Sequence, residues 1–334
     1  MGTRRHLQAG KYLLIAASLL VGLSGASIGD AGAAPAAPPR VVIADQFGPG
    51  HLVTVVIKRR RLLERQFPDT KFEWKIVTSG AVMRDGMIAD DIQIGITAPP
   101  PFLVGVDKGV KWKIIAGAAT YDQWLVTKDP DIKSIRDFKG AEKRQIALVG
   151  LDSFPAIVVR KAAQREFGDP RALDSDMVIM RPPDAVQAVL GGQLAGALIP
   201  PVFCVRAVDG GAHIALRSVD VFSGPVTNNF YVMTDDFYRR HPDVARAFYD
   251  AVQEAVKFIK SAPGEAFAML SEDEGGKTPP DKYRDLIERS GTEYGVVPYR
   301  VLEVAEFMKQ IGMIGRVPQS MREIEFPPLG GAGS

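Results

Sequence analysis

The chain has 334 residues, 41 Lys and Arg against 39 Asp and Glu, and a formal net charge of +2. So even a balance excludes the basic face that a nucleic-acid binder needs to neutralise phosphates. A single cysteine, Cys204, excludes an internal disulfide framework, and in the apolar run Val202-Phe203-Cys204-Val205 it reads as a buried thiol.

Residues 1–34 read as an export signal. Arg4, Arg5 and Lys11 form a positive start, and the apolar run over 12–23 is too short to span a bilayer. Ala31-Gly32-Ala33 fits a small-residue cleavage pattern, so the expected product is periplasmic, cut near Ala33. Thr3-Arg4-Arg5-His6-Leu7 carries part of a twin-arginine pattern. Removing 1–34 takes away Arg4, Arg5, Lys11 and Asp30 and leaves 38 charges of each sign. What remains, roughly 300 residues, suits two domains of ordinary size.

Strands and helices then alternate. A β-branched run over 40–44 predicts a buried strand, broken at 45–51. Leu52, Val55, Val56, Leu62 and Leu63 form a helical stripe. Strands follow over 72–77, 91–96 and 113–116, with helices between them, the second running from about Phe102 to Gly109. Trp124 opens another strand. Ser134 caps a short helix that ends at Gly140, and 146–149 is a strand. Pro155 sits in the first turn of a helix that runs to Phe167. Strands at 177–180 and 195–199 flank a helix over 185–190, a helix-like run passes Arg206, and 214–216 closes this sheet. A strand much like the one at Trp124 returns at 230–234. A long amphipathic helix from Pro242 presents Val244, Phe248, Val252, Val256 and Ile259 on one face. Helices over 280–290 and 299–311 precede a tail at 327–334.

The order implies an α/β chain of two lobes, each a mostly parallel sheet flanked by helices. Lobe one takes 40–122 and 230–320, lobe two takes 130–225, and the hinge takes 123–129 and 226–229. Two lobes joined by two strands over a cleft make a device for enclosing a small molecule.

Three segments carry a resemblance: S-I-R-D-F-K-G with R-Q-I-A-L-V-G over 134–150, V-Q-A-V-L-G-G-Q-L-A-G-A-L-I-P-P over 186–201, and N-N-F-Y-V-M-T-D-D-F-Y-R-R-H-P-D-V-A-R-A-F over 228–248. Their order and spacing resemble the periplasmic substrate-binding proteins of ABC importers for nitrate, sulfonates, taurine and thiamine precursors, the SsuA/THI5-like or NMT1-like group. The resemblance covers roughly 40–310. It implies a periplasmic-binding-protein type II fold, a monomer, a small-molecule ligand between the lobes, and a membrane permease that receives the closed form.

In such folds ligands meet the carboxyl ends of strands. That places the loops at 45–51, 78–80, 97–99, 150–154 and 200–201 at the ligand, with the crossovers beside them. The candidate ligand-binding residues are Gln46, Phe47, His51, Ser79, Gly80, Thr97, Ala98, Tyr121, Trp124, Asp152, Ser153, Phe154, Pro200, Thr227 and Asn228. Ser153 reads either as an ordinary helix cap or as part of an oxyanion site at a helix N-terminus. Asp152 repels a sulfonate unless it points away, and it could instead receive an amine or a ring N–H. Phe47, Tyr121, Trp124 and Phe154 either stack on a flat ligand or fill the core. His51, Ser79 and Thr97 are donors to a ligand or helix caps. The basic run Lys58-Arg59-Arg60-Arg61 reads as a solvated helix face or a permease contact, and Glu272-Asp273-Glu274 as a loop without calcium-site spacing.

No zinc-protease, dithiol, nucleophile-elbow, P-loop or dinucleotide pattern occurs, and no metal or cofactor is expected. Fungal pyrimidine-synthesising relatives sacrifice a histidine and need a cysteine-rich iron site, which has no counterpart here. A solute-binding transport protein is the leading reading. The alternatives are an enzyme acting on a small aromatic or carboxylated substrate in the cleft, or a ligand sensor for a membrane receptor.

Overall fold

The computed structural model describes residues 37–46, 48–139, 144–222 and 224–327. The expected export signal, Phe47, the helix-ending Gly140 and nearly all of the tail at 327–334 lie outside the described residues. The chain builds β1 (Arg40–Asp45), α1 (His51–Arg59), β2 (Lys71–Ile76), α2 (Gly80–Ile88), β3 (Ile94–Thr97), α3 (Pro99–Asp107) and β4 (Trp112–Thr120). It continues through β5 (Trp124–Thr127), β6 (Ile146–Leu148), α4 (Phe154–Phe167), β7 (Met177–Ile179), α5 (Pro182–Leu190), β8 (Gly196–Ile199), α6 (Phe203–Asp209), β9 (His213–Arg217) and α7 (Ser218–Val221). The last part is β10 (Thr227–Thr234), α8 (Asp235–Arg240), α9 (Pro242–Ser261), α10 (Pro263–Asp273), α11 (Pro280–Glu288), β11 (Glu293–Tyr294), α12 (Val301–Gln310) and α13 (Met321–Ile324).

Two sheets result, ordered β11-β4-β10-β3-β1-β2 and β7-β6-β8-β5-β9. The chain leaves the first after β4 and returns to it at β10. Both sheets are mixed. β1, β2 and β3 run parallel, as do β6, β7 and β8. β10 runs antiparallel to β3 and β4, and β5 antiparallel to β8 and β9. The expectation of mostly parallel sheets describes only the strand–helix repeats. The strands that carry the chain out and back lie beside strands of opposite direction because a chain that leaves must return. Within the expected crossing at 123–129, Trp124–Thr127 is buried throughout and its backbone is paired in the second sheet, which leaves 121–123 between β4 and β5.

β1 shows why these strands form: Val41 and Ile43 face one way, Val42 and Ala44 the other, and all four are fully buried, as a strand covered on both faces requires. The two faces belong to two apolar layers. One gathers α1, α9 and α10 against the first sheet with α5 and α6 against the second. The other gathers α2, α3 and α12 with α4. Each layer runs through both sheets, so the two sheets are packed together. α9 supplies the largest share of its layer, with Val244, Phe248 and Val252 buried at helical spacing behind Pro242 in its first turn. α1 stops at Arg59, short of the stripe's Leu62 and Leu63, because Arg61 takes a positive φ of 53°. Both leucines remain buried in the turn that follows.

Candidate functional site

The carboxyl ends of β1, β2, β3, β6, β7 and β8 and both crossings converge on one cavity of about 70 Å³. From the first sheet come Gln46, Ser79, Gly80 and Ala98. Gln46 donates from Nε2 to the Ile96 carbonyl at 2.7 Å, which holds its carboxamide across the β1–β3 ladder. Ser79 caps α2 by accepting the Val82 N–H at 3.3 Å. Ala98 precedes Pro99-Pro100-Pro101, the first turn of α3.

The second sheet contributes the loop after β6, with Asp152, Ser153 and Phe154, together with Pro182 after β7 and Pro200 after β8. Ser153 behaves as a cap: its hydroxyl donates to the Gly150 carbonyl at 2.5 Å and accepts the Ala156 N–H at 3.5 Å. Asp152 meets Arg84 of α2 at 3.4 Å, so an ion pair bridges the two sheets beside the cavity. Phe154 stacks on Phe222 with ring centroids 5.5 Å apart and adds an apolar side to the cavity.

The crossings supply the polar ceiling. β10 bulges between Thr227 and Asn229, so Asn228 drops out of register with β4, and bulges re-aim side chains in this way. Asn228 accepts the Tyr121 N–H at 2.8 Å through Oδ1, and its buried Nδ2 has no hydrogen-bond partner among the described residues. Asn229 hydrogen-bonds the Tyr121 hydroxyl; burial nevertheless dominates there and pushes the phenol pKa upward. Gln123 Oε1 and Asn229 Oδ1 are likewise buried and unpartnered among the described residues. Gly50 makes this packing possible, since a Cβ there would lie 2.8 Å from the Asn229 side chain.

Gln46, Ser79, Gly80, Ala98, Tyr121, Asp152, Ser153, Phe154, Pro200 and Asn228 therefore share one cavity, whereas four other candidates stand elsewhere. His51 lies behind it, with Nδ1 2.6 Å from Asp45 Oδ2 and Nε2 3.7 Å from Asp273 Oδ2, because the first turn of α1 backs onto α10. Burial opposes its imidazolium form, but the charge and hydrogen bond of Asp45, with Glu274 and Asp273 beyond, outweigh that and raise its pKa above the ordinary value. Thr97 is fully buried beneath Gly80. Trp124 donates to Asp122 at 2.8 Å, and Asp122 also takes Arg217 at 2.6 Å, so the indole belongs to a structural network at the crossing. Thr227 pairs with Thr120 at 3.1 Å and accepts the Tyr299 N–H at 2.8 Å. The acidic stretch read as a loop closes α10 instead: Asp273 binds Lys58 at 2.7 Å and Glu272 meets Arg59.

Sequence reasoning missed Gln123, Asn229, Pro101 and Pro182. The doubled asparagine opening a returning strand was the available signal for Asn229. Gln123 had none, being a polar residue in a link whose limits depend on strand pairing.

A wider chamber of about 490 Å³ adjoins the cavity through Ser79, Val149, Gly150 and Asp152. Its walls include Arg160, Arg171, Ile179, Ile311 and Met313. At the opposite edge of the cleft, Asp209 of α6 binds Lys282 of α11 at 2.9 Å and the adjoining Arg289 at 2.7 Å, again from sheet to sheet. Among the described residues no group of three or more His, Cys, Asp or Glu is placed to hold a metal ion, and no helix is long and apolar enough to cross a membrane.

Two helix-flanked sheets linked by two crossings, with a cavity at their strand ends, define the periplasmic-binding-protein type II fold. The chain belongs to the NMT1/THI5 like family, whose model matches residues 85–266. An Escherichia coli (strain K12) protein named for aliphatic sulfonates binding is 22% identical over 234 residues, 69% of this chain and 70% of that one. The alkanesulfonate-binding protein SsuA from Xanthomonas axonopodis pv. citri, solved bound to MOPS, has a TM-score of 0.69 at 17% identity and covers 84% of this chain and 96% of its own. The periplasmic nitrate-binding protein NrtA from Synechocystis PCC 6803 has a TM-score of 0.67 at 16% identity, covering 86% and 85%.

Proposed function

We propose that this chain is an extracytoplasmic solute-binding protein that closes on a small organic solute and delivers it to an ABC-transporter permease. The observation that carries this reading is the cavity between the sheets, bridged on one side by Arg84–Asp152 and at the other edge by Asp209 with Lys282 and Arg289. Pairs that span a cleft weight its closed form, and a guest touching both walls adds to the same bias. The names of the relatives, for sulfonates and nitrate, support a small solute as the guest. A sulfonate- or nitrate-like anion and a pyrimidine or aromatic compound are the two classes to compare.

Binding rather than catalysis fits the lining. Among the described residues the cavity wall holds no His, Cys or Lys, and its one ionisable acid, Asp152, is engaged by Arg84. The His51–Asp45 pair faces Asp273 and Lys58, with no nucleophile in its hydrogen bonds. Export with cleavage near Ala33, a periplasmic monomer and a permease partner complete the proposal.

The test is a thermal-shift screen of the mature chain against sulfonates, nitrate, pyrimidines and aromatic carboxylates, followed by small-angle scattering with each solute that binds. At least one solute should raise Tm and hold the lobes closed. Binding without any change in compaction would overturn the closure mechanism, and turnover of the bound solute would establish the enzyme reading instead. Fractionation of the producing cell and intact mass of the product check export and the cut near Ala33.

A further inference from the structure

The inner cavity is poorly furnished for a bare oxoanion. Its lining holds no cation among the described residues, and its one carboxylate, Asp152, sits beside Arg84. Helix N-termini commonly hold oxoanions through the free N–H groups of their first turns. Prolines remove several of those groups: Pro99, Pro100 and Pro101 open α3, Pro155 follows Phe154 in α4, and Pro182 and Pro183 open α5, whereas α2 opens at Gly80 and Ala81 without a proline. Ser153 consumes one more donor, the Ala156 N–H. What the cavity presents instead is carboxamide. Gln123, Asn228 and Asn229 are 4%, 1% and 8% exposed, and each carries a buried polar atom without a hydrogen-bond partner among the described residues. The Tyr121 N–H fixes one of these as a donor, Asn228 Nδ2. Buried amides left open in this way match an uncharged group that both donates and accepts.

The outer chamber has the opposite character. Ile179, Ile311 and Met313 give it apolar walls from both sides of the cleft. Arg160 is engaged, donating to both oxygens of Asp174 at 2.9 and 3.2 Å and to the Leu151 carbonyl at 2.8 Å. Arg171 donates only to the Ile311 carbonyl at 3.4 Å and has no carboxylate within ion-pair distance among the described residues. An available guanidinium at an apolar mouth suits a carboxylate or another planar acid.

Resting on the solute-binding reading above, we infer that the solute is a two-part molecule: an uncharged, planar hydrogen-bonding head such as a carboxamide in the inner cavity, and an apolar stem ending in an acidic group at Arg171. The inner cavity of about 70 Å³ has room for the head alone, and the shared wall at Ser79, Val149, Gly150 and Asp152 lets the stem pass outward. Polarity is thereby reversed relative to a ligand that buries its acid.

Isothermal titration of the mature chain with ω-carboxamido alkanoates of increasing chain length tests this. For each length the diamide, the dicarboxylate and the alkanesulfonate serve as matched probes. The carboxamido acid should bind tightest at one chain length. Loss of its acidic end in the diamide, and Arg171→Ala with the acid retained, should each weaken it by roughly 10–100-fold, the range of one charged hydrogen bond. Asn228→Ala should weaken acid and diamide alike. The inference is overturned if an alkanesulfonate or a dicarboxylate binds as well as the carboxamido acid, if Arg171→Ala changes nothing, or if no carboxamido acid binds at any length. In each of those cases the solute-binding reading stands provided that some solute still closes the lobes, and it falls separately if none does.

Discussion

Replacing Asn228 by alanine tests whether the bulge in β10 builds the ceiling of the cavity. The residue is 1% exposed, and its Oδ1 accepts the Tyr121 N–H at 2.8 Å from the outgoing crossing. Alanine removes the acceptor and leaves a buried backbone donor unsatisfied, which costs about 1–3 kcal/mol. For a chain of roughly 300 residues each kcal/mol corresponds to about 1.5–2 °C, so apo Tm should fall by about 2–5 °C. The same change removes Nδ2 from the cavity, so affinity for any bound solute should fall as well. Differential scanning calorimetry of the ligand-free variant gives the first number and titration the second. An apo Tm equal to that of the parent would refute the reasoning, since it would mean that the Tyr121 N–H does not depend on Asn228.

Two further perturbations address the surroundings. The His51 pKa is raised in the folded chain, so its contribution to stability is present in full below the unfolded histidine value of about 6.5 and is lost as pH climbs through the folded value. The Tm of the parent should therefore fall more than that of His51→Gln as pH rises from about 6 to 9; parallel pH profiles would show that the pair with Asp45 does not titrate as described. Asp209→Ala removes the carboxylate that binds both Lys282 and Arg289 across the cleft. It should enlarge the radius of gyration of the ligand-free chain and weaken solute binding together, and unchanged scattering would remove this pair from the closure mechanism.

Much of the architecture was legible because local patterns and global packing agree in this chain. The strand runs at 40–44 and 146–149 and the stripe from Val244 to Ile259 state their burial in their spacing, and β1, β6 and α9 stand where that spacing puts them. The loops at strand ends were legible too, which is why Gln46, Ser79, Ala98, Asp152 and Pro200 fall on one cavity. Four candidates stand apart from the cavity for a shared reason. His51, Trp124 and Thr227 have the right chemistry and lie close in sequence to the cavity, but each is held by a partner distant in sequence: Asp273, Arg217 through Asp122, and Tyr299; Thr97 lies fully buried beneath Gly80. Local reading has no access to such partners.

By itself the sequence determined the alternation of strands and helices and the loops at the strand ends, because hydrophobic period, caps and prolines act over a few residues. Only the tertiary structure decided which side chains meet: that Arg84 lies against Asp152, that a bulge takes Asn228 out of register beside the cavity, and that Arg171 lines the adjoining chamber with no carboxylate within ion-pair distance among the described residues. Those outcomes depend on strand register and on contacts between segments remote in the chain, and register is set by the packing of whole faces rather than by any one segment.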